Sequence, residues 1–136
     1  RLHTVHGHAL LWDGHSIRDE LPWLFEGRLP HLNLGTVDAT SCDARLRAAL
    51  MAVLAGQQQF SHVTDGRFKG GSITRRHGRP QAGVHAVQLE MCWSTYMDEV
   101  LPASGRPVLD PARCATLVPL LRELLSTMLA WRPDER

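Results

Sequence analysis

The apolar positions fall into segments with two different periods. Residues 8–12 (His-Ala-Leu-Leu-Trp) form a short, nearly continuous apolar run, the pattern of a buried strand. Residues 84–93 (VHAVQLEMCW) alternate. Val84, Ala86, Gln88, Glu90 and Cys92 face one way, and His85, Val87, Leu89, Met91 and Trp93 the other. Leu46, Leu50, Val53 and Leu54 follow helical spacing, with Ser41 or Asp43 as a possible N-cap and Gly56 as the stop. Leu117, Leu120, Leu121, Leu124, Leu125 and Met128 give a second apolar helix face. That helix opens on Asp110-Pro111 as N-cap and N1, and Pro119 predicts a kink or a late start.

The remaining segments are shorter or polar. Residues 31–36 (HLNLGT) predict a short strand, and 60–68 (FSHVTDGRF) a strand that turns at Asp65-Gly66. Residues 13–31 read as loop, broken by Gly14, Pro22, Gly27 and Pro30. Residues 69–83 read as a long loop with four Gly and Pro80, and 100–109 as a Pro/Gly linker. Strands interleaved with helices predict an α/β sheet covered by helices. There is no internal repeat and no low-complexity tract.

Composition narrows the function classes. The 136 residues amount to one domain or part of one, and 43% apolar content is enough for a packed core. A net charge of +1 argues against electrostatic binding to nucleic acid or a membrane surface. Fourteen of the fifteen basic residues are Arg, which fits a GC-rich genome as well as carboxylate recognition. Three cysteines without CxxC spacing predict a reduced, cytoplasmic protein. No apolar run approaches the roughly 20 residues of a membrane span, and no signal peptide opens the chain. A chain without an initial Met that enters a strand within ten residues is expected to be a piece of something longer.

Three groups could do chemistry. Asp13-Gly14-His15-Ser16 ends an apolar strand, where α/β proteins bind ligands. His15 there is either a hydrogen-bonded turn residue or a Zn²⁺ ligand oriented by a neighbouring carboxylate. Glu90 sits between Leu89 and Met91. It is either an inward-facing general base with a raised pKa or a solvent-facing residue of an edge strand. The third group is GRFKGGSITRRHG (66–78), in which Arg67, Lys69, Arg75, Arg76 and His77 surround Gly70-Gly71. It reads as an anion clamp or as a solvated basic loop. It is not a P-loop, since the Gly and Lys spacing is wrong and no helix is expected to follow.

The motifs DGHSIRDELPWLFEGRLPHLNLGT, GRFKGGSITRRHG and GVHAVQLEMCWSTYMDE, in that order, resemble the N-formylglutamate deformylases, or N-formylglutamate amidohydrolases. The resemblance runs over essentially the whole chain. It implies an α/β fold with a mixed central sheet and flanking helices, of the zinc-carboxypeptidase-like (phosphorylase/hydrolase-like) kind. Residues 1–136 would be the C-terminal part of that single domain. It implies a small-molecule substrate, N-formyl-L-glutamate, hydrolysed to formate and L-glutamate in histidine degradation. It also implies a Zn²⁺ cofactor with His15 as a ligand, the other ligands lying in the N-terminal half. Glu90 would be the catalytic base or acid, and Arg75 the substrate carboxylate clamp, with Arg67 and Lys69 as second choices. Related amidases acting on other N-acyl amino acids, and a non-catalytic truncated remnant, are the alternative readings. The family commonly reads GGYITRHYG where this chain has Ser72, Arg76 and His77 in place of Tyr, His and Tyr. Pro30-His31 replaces Pro-Asp, and Trp93 stands where Gln is frequent.

Overall fold

The computed structural model describes residues 1–100, 103 and 105–134; three positions of the 100–109 linker therefore lie outside the described residues. The elements are α1 (Leu2–His6), β1 (Ala9–Ile17), β2 (Leu32–Gly35), α2 (Ala44–Ala55), β3 (His62–Thr64), α3 (Ser72–His77), β4 (Val84–Cys92) and α4 (Pro111–Ala130), with single 3₁₀ turns at Pro80–Ala82 and Trp93–Thr95. The strands form one mixed sheet in the order β1-β4-β2-β3. β1 runs parallel to β4, β4 antiparallel to β2, and β2 parallel to β3.

The alternation of β4 divides the sheet into two chemically different faces. Val87 and Leu89, with Leu32 and Leu34 of β2, pack against Leu46, Leu50 and Leu54 of α2 and Leu117, Leu120, Leu124 and Met128 of α4. This is the hydrophobic core. Leu125, counted with the apolar face of α4 in the sequence, is exposed instead. His85 closes one end of the core. It accepts from the Asp43 backbone N–H at 3.0 Å, and its ring lies 4.5 Å from that of Trp131. The opposite face carries Gln88 and Glu90 on β4 and Asp13 and His15 on β1, and α3 packs over part of it.

Both long helices start as their capping residues dictate. The Asp43 carboxylate accepts from Arg45 N, and Asp110 accepts from Ala112 N and Arg113 N. α4 does not start late at Pro119. It runs without interruption from Pro111, because the Asp110 cap and the buried Leu117 hold the turns before the proline.

Two other expectations need correction. β1 does not stop at Trp12 but continues through Asp13-Gly14-His15-Ser16 to Ile17, since nine consecutive residues pair with β4, from Ala9↔Val84 to Ile17↔Cys92. Pairing against a buried neighbour outweighs the local breaker Gly14. Residues 69–83 are not all loop: α3 follows Gly70-Gly71 directly. It has six residues and no apolar stripe to reveal it. Its last turn carries Arg75, Arg76 and His77, which suit the negative end of a helix. The five-residue α1 also escaped notice, being too short to show a period.

An ion pair joins β2, α2 and the turn after β3. Asp65, whose side chain is only 6% exposed, accepts from Thr36 N and Thr36 Oγ1, each at 2.6 Å, and from Arg47 Nη2 at 3.0 Å. Burial pushes the Asp65 carboxyl up, but the Thr36 and Arg47 hydrogen bonds outweigh it and hold it below the usual carboxylate range. Its folded pKa is therefore depressed. The stabilisation is present above the unfolded-state pKa and is lost as pH falls through the folded one. Asp65→Ala should destabilise the fold by about 3 kcal/mol, the low end for breaking a buried pair, because Arg47 still reaches water. Urea unfolding at pH 7 and at pH 3 checks this, with the difference between the two proteins shrinking at the lower pH.

Candidate active site

His15 and Glu90 are direct register partners on adjacent parallel strands. Their side chains open into one cleft of about 350 Å³, which is also lined by Asp13, Gln88, Arg67, Lys69 and Arg75. The five residues to which the family resemblance gives a role, His15, Glu90, Arg75, Arg67 and Lys69, thus meet at one place, although 75 positions separate His15 from Glu90.

The strand floor sets the polar groups two by two. His15 Nε2 lies 2.8 Å from Asp13 Oδ1. The Asp13 side chain, 8% exposed, accepts from Thr74 Oγ1 of α3 at 3.3 Å. The His15 ring is 48% exposed. Nε2 faces the Asp13 carboxylate, and Nδ1 has no partner among the described residues. Glu90 is 7% exposed. Burial raises its pKa and the nearby Asp13 carboxylate adds to this, while His15 opposes it; among the described residues no hydrogen bond holds the charged form. Its backbone is fixed from the far side by Asn33 Nδ2, which donates to Glu90 O at 3.3 Å and to Pro30 O at 2.8 Å.

The basic wall is held by a close approach of two backbones. A Cβ on Gly35 would lie 2.6 Å from Gly70 N, so the loop can rest on the end of β2 only because position 35 is glycine. Gly70 itself has φ +118°, a conformation that favours glycine. Val37, Asp38 and Ala39 are three successive residues at positive φ, and strain of this kind costs on the order of 1–3 kcal/mol each. Thr36 stabilises this left-handed turn, its Oγ1 accepting from Ala39 N and its carbonyl from Thr40 N. The turn in turn holds the loop, Val37 N donating to Lys69 O at 2.6 Å.

The three cations are not equivalent. Lys69 Nζ is paired with Asp38 at 2.9 Å. Arg67 Nη2 donates to Leu24 O at 2.7 Å. Arg75 donates through Nε to Gly70 O at 2.8 Å, and its two terminal nitrogens have no partner among the described residues. Arg76 and His77 do not line the cleft, whereas Ser72 and Ile73 do.

Sequence reasoning passed over Gln88 and Thr74. Gln88 appeared there only as one member of an alternating strand, and Thr74 only as a letter in the ITR motif. A polar residue on the face of Glu90, one pleat away, was the available signal for Gln88.

The metal expectation can be compared with the donors present. Among the described residues no group of three His, Cys, Asp or Glu side chains could hold a metal ion. His15 on its own has the chemistry of one ligand: a ring nitrogen without a partner among the described residues, with the other nitrogen 2.8 Å from a buried carboxylate.

With this geometry in place, comparison with known proteins is decisive. The family model described as N-formylglutamate amidohydrolase matches residues 1–97. The chain belongs to the N-formylglutamate amidohydrolase family. It is 53% identical over 131 residues to an N-formylglutamate deformylase of Pseudomonas aeruginosa and 50% identical over 131 residues to one of Pseudomonas putida, in each case over 96% of this chain. The match covers 48% of each of those proteins, so the chain spans about half the length of the curated relatives it matches. The fold is similar to the crystal structure of an N-formylglutamate amidohydrolase from Ralstonia eutropha JMP134, with a TM-score of 0.69 and 20% identity over 93% of this chain and 44% of that one. The family resemblance and the mixed α/β sheet expected from the sequence are borne out. Among the described residues no helix is long and apolar enough to cross a membrane.

Proposed function

We propose that this chain supplies the general base, one metal ligand and the substrate clamp of a metal-dependent N-formyl-L-glutamate deformylase of the zinc-carboxypeptidase-like kind. One observation carries the reading. His15, oriented by Asp13, and Glu90, raised in pKa by burial, share a cleft with an Arg whose terminal nitrogens are open. Family membership, shared with the two Pseudomonas deformylases, supports the choice of reaction. His15 would bind Zn²⁺ through Nδ1, together with ligands from the part of the relatives that this chain does not span. When bound, the metal supplies Lewis-acid polarisation of the formyl oxygen and lowers the pKa of water.

The other steps belong to this chain. Glu90, as carboxylate, takes a proton from the attacking water as it adds to the formyl carbon. It returns that proton to the amine nitrogen as the C–N bond breaks, releasing formate and L-glutamate. Arg75 holds a carboxylate of the dianionic substrate through two parallel hydrogen bonds, a geometry that Lys cannot reproduce. The reduced cysteines fit a cytoplasmic enzyme of histidine degradation.

A second reading has one observation in its favour. Ser72 lines the cleft at the place where the family's motif commonly has Tyr, which opens room for another N-acyl amino acid. A chimera in which this chain replaces the matching segment of the Pseudomonas aeruginosa relative distinguishes the two. The proposal expects N-formyl-L-glutamate to be preferred over N-acetyl-L-glutamate and N-formyl-L-aspartate; preference for either of the latter selects the second reading.

The clamp has its own test in the same chimera. Arg75→Lys should cost about 10- to 100-fold in kcat/KM, the loss of a charge-assisted hydrogen bond. Arg76→Lys, outside the cleft, should cost little. Kinetics of both variants, with zinc content measured alongside, check the assignment. Loss on Arg76→Lys alone would move the clamp to position 76.

A further inference from the structure

The side-chain amide of Gln88 has one half committed and the other half open. Gly71 N–H donates to Gln88 Oε1 at 2.6 Å. A backbone N–H can donate only to the oxygen of that amide, so the contact fixes which end is which. Nε2, a donor of two hydrogens, has no partner among the described residues. Gln88 is only 4% exposed, yet it lines the cleft. Nε2 is not itself fully buried, so the free end of the amide is open to a group that enters the cleft.

Its position says what that something is. Gln88 and Glu90 project from the same face of β4, two residues apart, which separates them by about 6.6 Å along the strand. In a glutamate amide the scissile nitrogen and the side-chain carboxyl carbon are four bonds, about 5 Å, apart. With Glu90 serving the scissile nitrogen, a glutamate side chain directed along β4 brings its carboxylate to the amide of Gln88. The α-carboxylate, two bonds from that nitrogen, is too near to reach it and is left to Arg75.

We propose that Gln88 is the specificity residue for the side-chain carboxylate of the amino-acid substrate, donating through Nε2 while Gly71 N–H locks its orientation. This rests on the proposed deformylase reading for the location of the scissile bond. Gly71 belongs to the same loop as Lys69 and Gly70, so the lock also ties the basic wall to the sheet.

Two variants separate the donor from the lock. Gln88→Glu keeps an oxygen for Gly71 N–H and nearly the same volume but removes the amide donor. Gln88→Leu removes both. In the chimera, the kcat/KM ratio of N-formyl-L-glutamate to N-formyl-L-norvaline should fall about 10- to 100-fold in each variant, chiefly through KM for the glutamate substrate. Equal losses on both substrates, or an unchanged ratio, would overturn the proposal. A binding measurement is independent of turnover. With the 136-residue chain, glutarate should shift the Gln88 side-chain NH₂ resonances in NMR, and butyrate should not. Silent or equally shifted resonances would likewise contradict it. If glutarate shifts them but the chimera hydrolyses no formyl amide, the reaction assignment fails and the carboxylate subsite stands. If the chimera deformylates with an unchanged ratio, the subsite fails and the reaction stands.

Discussion

Glu90→Gln in the chimera is expected to lower kcat/KM for N-formyl-L-glutamate by about 10²–10⁴-fold, the usual worth of a positioned general base. The amide has nearly the shape of the carboxylate but cannot accept the water's proton at neutral pH. Zinc content should be retained, because the role assigned to Glu90 is proton transfer and not metal binding. The same assignment fixes the direction of a pH effect. Burial, with the nearby Asp13 carboxylate, lifts the Glu90 pKa above its ordinary value, while His15 opposes the shift. The active form is the carboxylate, so kcat/KM of the parent should fall as pH drops through that raised pKa. The acidic limb should lie above that of an ordinary Glu and should disappear in Glu90→Gln. A variant that keeps parental kcat/KM, or a limb that survives the substitution, removes Glu90 from the reaction.

His15→Ala should have an effect of the same order, by a different route. One ligand of about three is lost, so the chimera should no longer retain zinc through dialysis. The fall in kcat/KM should exceed the roughly 10- to 100-fold that losing an orienting partner costs. Asp13→Asn supplies that smaller, graded effect. It leaves His15 in place but removes the charge of the carboxylate that lies 2.8 Å from its ring. Zinc stoichiometry by mass spectrometry, measured on parent, Asp13→Asn and His15→Ala, should decline in that order. Full zinc retention by His15→Ala would show that the metal is held without it.

The long periodic elements were legible because burial wrote them into the sequence. The helical spacing of Leu46, Leu50 and Leu54 and the alternation of residues 84–93 correspond to α2 and β4, and Asp110-Pro111 opens α4 as its side chains require. What remained hidden depends on partners far along the chain. Asp13-Gly14-His15-Ser16 looks like a turn until nine residues of β4 pair beside it. α3 has a single fully buried residue, Thr74, and gains its place from the Asp13 carboxylate and from the two glycines before it. The left-handed run Val37-Asp38-Ala39 contradicts local preference, above all at the β-branched Val37, and exists only with Thr36 and Lys69 O to satisfy it.

The site was legible in its residue types and not in its hierarchy. Glu90 in an apolar strand and a glycine-flanked ITR are visible in one dimension. That Asp38 occupies Lys69 depends on a contact between positions 31 apart, while Arg75, tied only locally to Gly70 O, keeps two nitrogens open. Gln88 shows the same limit. Its type is unremarkable in an alternating strand, and only the N–H of Gly71 makes it a directed donor.

The central claim is that this chain contributes His15 and Glu90 to a metal-dependent deformylase centre completed by residues outside it. The most direct measurement is formate release from N-formyl-L-glutamate, with zinc titrated into the metal-free 136-residue chain and into the metal-free chimera in parallel. The account predicts weak zinc binding and no turnover for the chain alone, and turnover by the chimera that rises to a plateau at one zinc per molecule. Tight stoichiometric zinc with turnover by the chain alone, or full turnover by the zinc-free chimera, would contradict it.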